Sequence, residues 1–144
     1  MLTIKEIIDM VFMSFIVGFI FMDWLDKFRP KENYDPLKES QGFNWKSLLF
    51  AAAIVAPAII LHELAHKFLA MSFGLSATFN AAYFYLGLGV LMKFMFGFAF
   101  FVPAYVSIIG RATNLQYGLV AFAGPLMNAL LWGLCALIVK KRLV

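Results

Sequence analysis

Two histidines and a glutamate fall within five residues, His62-Glu63-Leu64-Ala65-His66. An α-helix turns once in about 3.6 residues, so on a helix His62 and His66 project from one face and could hold one metal ion. Glu63 is offset by one position, where it could reach a water molecule on that ion. Neutral imidazole is a good zinc ligand, zinc lowers the pKa of a bound water from about 15.7 to about 7, and a neighbouring carboxylate can then act as general base. The pattern therefore indicates a hydrolytic metal centre.

The residues on either side of this motif distinguish a chance match in a soluble helix from a polar site in a membrane-spanning one. The same pattern occurs by chance in soluble helices, where it is a solvated polar turn or a satisfied core histidine. Here Leu48–Leu61 before it and Phe68–Phe73 after it are almost wholly apolar. A charged side chain at the centre of a membrane-spanning helix costs about 2.5 to 3.5 kcal/mol even on the gentler insertion scales. Two histidines and a glutamate at that depth need a metal, polar partners or a wet cavity.

The composition predicts an integral, multi-pass membrane protein. Of the 144 residues, 63% are hydrophobic and 14% are charged, and the mean hydropathy is +0.86. Such a length predicts a single membrane-embedded domain over residues 1–144. The net charge of +4 comes from scattered basic residues with acids between them, so we expect the lipid bilayer as a partner and no nucleic acid. A single cysteine, Cys135, excludes an internal disulfide.

Four apolar stretches predict the elements that position the motif. They cover about residues 4–25, 47–73, 83–109 and 115–139, and the third could be either a span or a re-entrant segment that dips in and returns. The polar residues 26–46 between the first two predict an exposed loop.

Local signals refine the region after the histidines. Pro57 predicts a kink, either for packing or to open space for water, and Gly74 predicts the end of the motif helix. Weak alternation over Leu75–Asn80 favours a short strand, and Phe100–Ile109, with its central proline, could include an edge strand. The predicted fold class is an all-α integral membrane protein of three to four transmembrane helices, with a short re-entrant or β-hairpin-like segment between its two motif helices.

A second motif, Ala123-Gly124-Pro125-Leu126-Met127-Asn128, lies in the last apolar stretch. Pro125 interrupts helical hydrogen bonding and Gly124 permits close backbone approach, so Asn128 can project its amide into a polar space one turn on. A His-Glu-x-x-His helix followed by Ala-Gly-Pro-x-x-Asn on a later one resembles the site-2 protease family, the intramembrane zinc metalloproteases. The resemblance covers about Ser47–Val139.

This resemblance implies a role for each motif residue. His62 and His66 would bind Zn²⁺, and Glu63 would be the catalytic general base toward the water that zinc activates. Asn128 would help to hold substrate or the developing oxyanion; its alternative role is a plain interhelical hydrogen bond. The implied reaction is hydrolysis of a peptide bond within the transmembrane segments of membrane-protein substrates.

The sequence departs from the family at the third zinc ligand, which the family takes from an aspartate in an Asp-Gly motif on a further helix. No Asp follows Asp35, no Glu follows Glu63 and there is no third histidine. Three interpretations stay open: a truncated chain; a short form that borrows a ligand from another chain or from Asp23 or Asp26; or an inactive relative acting as a membrane scaffold or binding partner. Cys135, on the helical face of Asn128, is a candidate ligand, although such cysteines are usually small apolar fillers.

Overall fold

A computed structural model describes residues 1–29, 43–97 and 102–142. Most of the predicted polar loop, residues 30–42, therefore lies outside the described residues. The elements follow one another as α1 (Ile4–Leu25), a 3-10 turn (Asp26–Phe28), α2 (Trp45–Ser72), β1 (Ser76–Ala81), α3 (Tyr83–Phe96), β2 (Ala104–Ile109) and α4 (Asn114–Arg142).

Three helices in the described part of the chain are long and apolar enough to cross a membrane. These segments, Ile4–Phe28, Trp45–Ser72 and Asn114–Lys141, have 25 to 28 residues. At about 1.5 Å per residue each exceeds the hydrocarbon core of about 30 Å. Their positions match the first, second and fourth predicted apolar stretches, which confirms the predicted helical fold class.

The remaining predicted stretch, 83–109, is not one span. It forms the 14-residue helix α3 and then β2. Gly97 ends α3 because its φ of 72° lies in the left-handed region, with its N–H donating to the Lys93 carbonyl. A helix of this length is too short to cross the hydrocarbon core.

The predicted hairpin-like segment is confirmed as a two-stranded antiparallel sheet. β1 and β2 pair in register from Ser76 opposite Ile109 to Ala81 opposite Ala104. Both strand predictions are thus confirmed, with α3 lying between the two strands in sequence. β1 comes next in the chain after α2, the helix that carries the histidines.

The end of α2 is a Schellman turn, as Gly74 predicted. Gly74 has φ of 76°, its N–H donates to the Met71 carbonyl at 2.9 Å, and the Leu75 N–H donates to the Ala70 carbonyl at 3.1 Å. Glycine adopts this left-handed conformation without a steric cost. Leu75 and Ala70 are both buried in one apolar cluster, so the turn is also held by packing.

Capping boxes begin α1 and α4. The Thr113 N–H donates to Gln116 Oε1 at 2.8 Å, and the Gln116 N–H donates to Thr113 Oγ1 at 3.2 Å. The same reciprocal pair forms between Thr3 and Glu6, at 2.7 and 3.3 Å. Each box satisfies two backbone donors that a helix start leaves unpaired. The capping box at Thr113 thereby fixes where α4, the helix that carries the second motif, begins.

The chain divides into two compact units. The first comprises Met1–Met10, Pro57–Ala81 and Ala104–Val144, and the second comprises Val11–Ala56 and Ala82–Pro103. The first unit therefore contains both motifs and the sheet.

Each unit has its own apolar core. In the first, Ala70, Leu75 and Val120 pack together and Ala77 packs against them, so this core joins α2, β1 and α4. In the second, one cluster of buried residues from α1 and α2 comprises Met22, Leu25, Leu48 and Ala51.

Candidate metal site

The two histidines of α2 lie side by side with their Nε2 atoms 3.2 Å apart. Their ring centroids are 4.8 Å apart and the rings are inclined at 79°. Two nitrogens bound at about 2.0 to 2.1 Å to one tetrahedral zinc ion stand about 3.3 Å apart. The separation between His62 and His66 therefore matches that of two nitrogens ligating one metal ion.

One face of α4 contacts both rings. His66 Nδ1 lies 2.6 Å from the Val120 carbonyl oxygen and donates to it, while His62 Nδ1 lies 3.0 Å from Asn128 Nδ2. The later α4 residue meets the earlier α2 residue, so the two helices run antiparallel here. Asn128 thus makes an interhelical hydrogen bond, the alternative role considered for it; its predicted role in holding substrate or oxyanion stays a prediction.

Gly124 lies between these two contacts and leaves room beside the Nε2 atoms. A Cβ added to this buried glycine would stand 2.5 Å from His62 Nε2 and closer still to His66 Nε2. A residue without a side chain is therefore needed for the α4 backbone to come this close to both rings. The donor set fits a zinc ion, with His62 and His66 as the residues that would hold it.

The Glu63 carboxylate is half-buried beside this pair. Within residues 1–29, 43–97 and 102–142, no group donates a hydrogen bond to it and no cation pairs with it. An unpaired carboxylate next to two potential metal ligands is suited to accept a proton.

The described residues contain no cluster of three or more His, Cys, Asp or Glu side chains that could hold a metal ion. Asp23 and Asp26 belong to the second unit and are engaged there. Asp23 pairs with Lys93 at 2.9 Å, and Asp26 accepts from Arg29 at 2.8 Å and also from the Ser47 hydroxyl. Cys135 is a free, exposed thiol on α4. None of the three joins the histidines as a third ligand in the described part of the chain.

A second polar group in the first unit, which we call the carboxylate cluster, consists of Glu6, Asp9 and Lys67. Lys67 and Glu6 form an ion pair with 1% and 0% exposure. Glu6 also accepts from the Phe79 N–H at 2.7 Å, and Asp9 accepts from the Ala81 N–H at 3.3 Å. Sequence reasoning missed this cluster; the capping box at Glu6 was its only local signal.

Sequence reasoning also missed the Val120 carbonyl. The available signal was the spacing of Val120, Gly124 and Asn128, four residues apart, which repeats the spacing of the two histidines. Residues at that interval share one helical face.

Comparison with curated proteins identifies a relative of this chain. A curated protein of Methanocaldococcus jannaschii named "Putative zinc metalloprotease" is 32% identical over 130 residues. The match covers 88% of this chain and 58% of that relative, so the chain spans somewhat more than half of the relative's length. No protein-family model matches the chain. No solved structure matches it.

Proposed function

We propose, from the premise that this chain is a relative of the site-2 protease-like zinc metalloproteases, that it is an intramembrane zinc-dependent endopeptidase in a multi-pass membrane protein. Its substrates would be the transmembrane segments of other membrane proteins. One observation carries the proposal: two imidazole Nε2 atoms 3.2 Å apart on a helix apolar enough to cross a membrane. Polar groups at that depth are costly, so they are rare there and usually mark a functional site.

The residues of the chain divide the work. His62 and His66 would hold the zinc ion through Nε2, and Gly124 lets the α4 backbone pack against both rings. When bound, zinc would act as a Lewis acid that activates water and polarises the scissile carbonyl. Glu63 accepts a proton from the attacking water and returns it to the departing amine, which restores its carboxylate.

The third ligand is the incomplete part of the centre. Catalytic zinc sites usually take three protein ligands, and the described residues provide two. We propose that the third comes from a segment outside the described residues or from a second chain.

Zinc content and substrate cleavage test the proposal together. We expect the purified protein to retain zinc near one ion per chain and to lose it in His62→Ala. We expect Glu63→Gln to keep zinc but to cut cleavage of a helical membrane substrate by about 10²- to 10⁴-fold, as loss of a general base does.

Asp23→Asn is the matched control, because it makes the same carboxylate-to-amide change on a side chain that is 71% exposed. Its activity should stay at the wild-type level. Equal activity of Glu63→Gln and wild type would remove Glu63 as the base. A zinc content far below one ion per chain would overturn the proposal for this chain.

A further inference from the structure

The contacts between α4 and the histidines fix where the ring protons lie. Three hydrogen bonds run in series: Asn128 to His62 at 3.0 Å, His62 to His66 at 3.2 Å, and His66 to the Val120 carbonyl at 2.6 Å. A neutral imidazole has one donor nitrogen and one acceptor nitrogen. The three hydrogen bonds must therefore all be donated in the same direction along the series.

With both rings neutral, only one proton assignment satisfies these three contacts. The Val120 carbonyl can only accept, so His66 carries its proton on Nδ1 and accepts at Nε2. His62 must then donate from Nε2 and accept at Nδ1. Asn128 consequently donates from its amide Nδ2, the atom placed nearest to His62 Nδ1.

Metal binding through both Nε2 atoms requires a ring proton to move on His62 but not on His66. His66 keeps its tautomer, because the Nε2 lone pair that accepts from His62 is the one that would bind the ion. His62 must move its proton to Nδ1, where it needs an acceptor. A half-turn of the Asn128 amide exchanges Nδ2 for Oδ1 and supplies that acceptor.

We propose that Asn128 is a positioning residue that selects the tautomer of His62. Its Nδ2 donates to Nδ1 in the hydrogen-bonded form, and its Oδ1 accepts from Nδ1 when Nε2 binds zinc. The inference rests on the proposed zinc site and assigns Asn128 a role on a ligand, in addition to any role toward substrate. An amide can serve both forms, because it can donate from Nδ2 and accept at Oδ1.

Two near-isosteric variants of the full chain separate the two halves of this role. Asn128→Leu can neither donate nor accept, whereas Asn128→Asp can only accept. We expect Asn128→Leu to bind zinc about 10- to 100-fold more weakly, the usual cost of losing a hydrogen-bond partner of a metal-bound histidine. We expect Asn128→Asp to bind zinc at least as tightly as the wild type. Titration of the detergent-solubilised protein with zinc measures all three affinities.

Asn114→Leu is the matched control. It makes the same change on the same helix at an exposed position where α4 begins. Its zinc affinity should equal that of the wild type. A similar loss in Asn114→Leu and Asn128→Leu would mean that the substitution acts on α4 as a whole and would overturn the positioning role.

Nitrogen-15 NMR of labelled histidine, recorded without zinc at mildly alkaline pH, gives a readout independent of activity and metal. We expect the Nε2–H tautomer of His62 in the wild type and the Nδ1–H tautomer in Asn128→Asp. The same tautomer in both proteins, or unchanged zinc affinity in Asn128→Leu, would overturn the inference. If the wild type binds no zinc, but the His62 tautomer still differs as expected between the wild type and Asn128→Asp, the proposed function is rejected while control of His62 by Asn128 is supported.

Discussion

Adjacent residues of α2 belong to two polar groups of opposite character. Lys67 belongs to the carboxylate cluster, in which both members of the ion pair are almost completely buried. His66 belongs to what we call the histidine cluster, which comprises His62, His66 and Asn128, contains no carboxylate or lysine and is partly exposed. Among the described residues, no buried side-chain nitrogen or oxygen lacks a hydrogen bond. The difference therefore lies in the kind of group: the carboxylate cluster pairs buried charges with each other and with backbone donors, whereas the histidine cluster holds imidazole nitrogens that a metal could ligate.

The carboxylate cluster also takes the place that a third strand would occupy beside β1. The N–H groups of Phe79 and Ala81 lie on the edge of β1 that faces away from β2, and they donate to Glu6 and Asp9. An unpaired strand edge in apolar surroundings would cost several kcal/mol for each exposed group. Two carboxylates of α1 thus pair backbone groups that a third strand would otherwise pair. We infer a structural role for this cluster and a chemical role for the other.

The largest expected effect is on stability and comes from Lys67→Met. Removing the cation leaves the Glu6 carboxylate buried without its counter-charge, which typically costs about 3 to 5 kcal/mol. The free energy of unfolding, measured in a denaturing detergent titration, should fall by that order.

The double variant Lys67→Met with Glu6→Gln is the control. It removes both charges and keeps an oxygen that can accept from the Phe79 N–H, so it should recover much of the loss. If the double variant is no more stable than Lys67→Met, the ion pair is not what sets the stability of this cluster.

Gly124→Ala should have an intermediate effect, expressed at the other cluster. The added methyl would fill the space beside both Nε2 atoms. We expect zinc affinity to drop by at least about 100-fold, and overpacking against the rings to cost about 1 to 3 kcal/mol of stability.

Two glycines of the same helix provide the control. A Cβ added at Gly118 or Gly133 meets nothing within 4 Å. Alanine in an exposed helix position gains about 0.5 to 1 kcal/mol over glycine, so Gly133→Ala should be slightly stabilising and leave zinc affinity unchanged. Zinc binding by Gly124→Ala at wild-type affinity would mean that the close approach of α4 at Gly124 does not hold the two nitrogens in place for the ion.

How much the sequence predicts differs between the two clusters. The pairing of His62 with His66 depends on one helical turn, so local spacing was enough to place both rings on one face. Glu6 and Lys67 are 61 residues apart, and only the tertiary fold brings them together. The same holds for Asn128 and His62, which are 66 residues apart; their motifs were visible, but their contact was not.

The strands show a similar division. Weak alternation identified β1, whereas the apolar run over 83–109 hid the boundary between α3 and β2. Gly97 marks that boundary through its left-handed φ, a property of the backbone that composition does not reveal. Hydropathy reports how apolar a stretch is, and it does not distinguish one long helix from a short helix followed by a strand.

The smallest expected effect compares the two neighbours on α2 directly. His66→Leu keeps much of the side-chain volume and loses a neutral hydrogen bond to the Val120 carbonyl, a change worth about 0.5 to 1.5 kcal/mol. Unfolding measured in the presence of a chelator should therefore show a modest loss beside that of Lys67→Met, while zinc binding should be lost. A stability loss as large as that of Lys67→Met would place His66 among the structural groups and remove the distinction between the clusters. The expected contrast, with large structural cost at position 67 and large metal-binding cost at position 66, follows from the buried charge of Lys67 and from the imidazole nitrogen that His66 would offer to a metal.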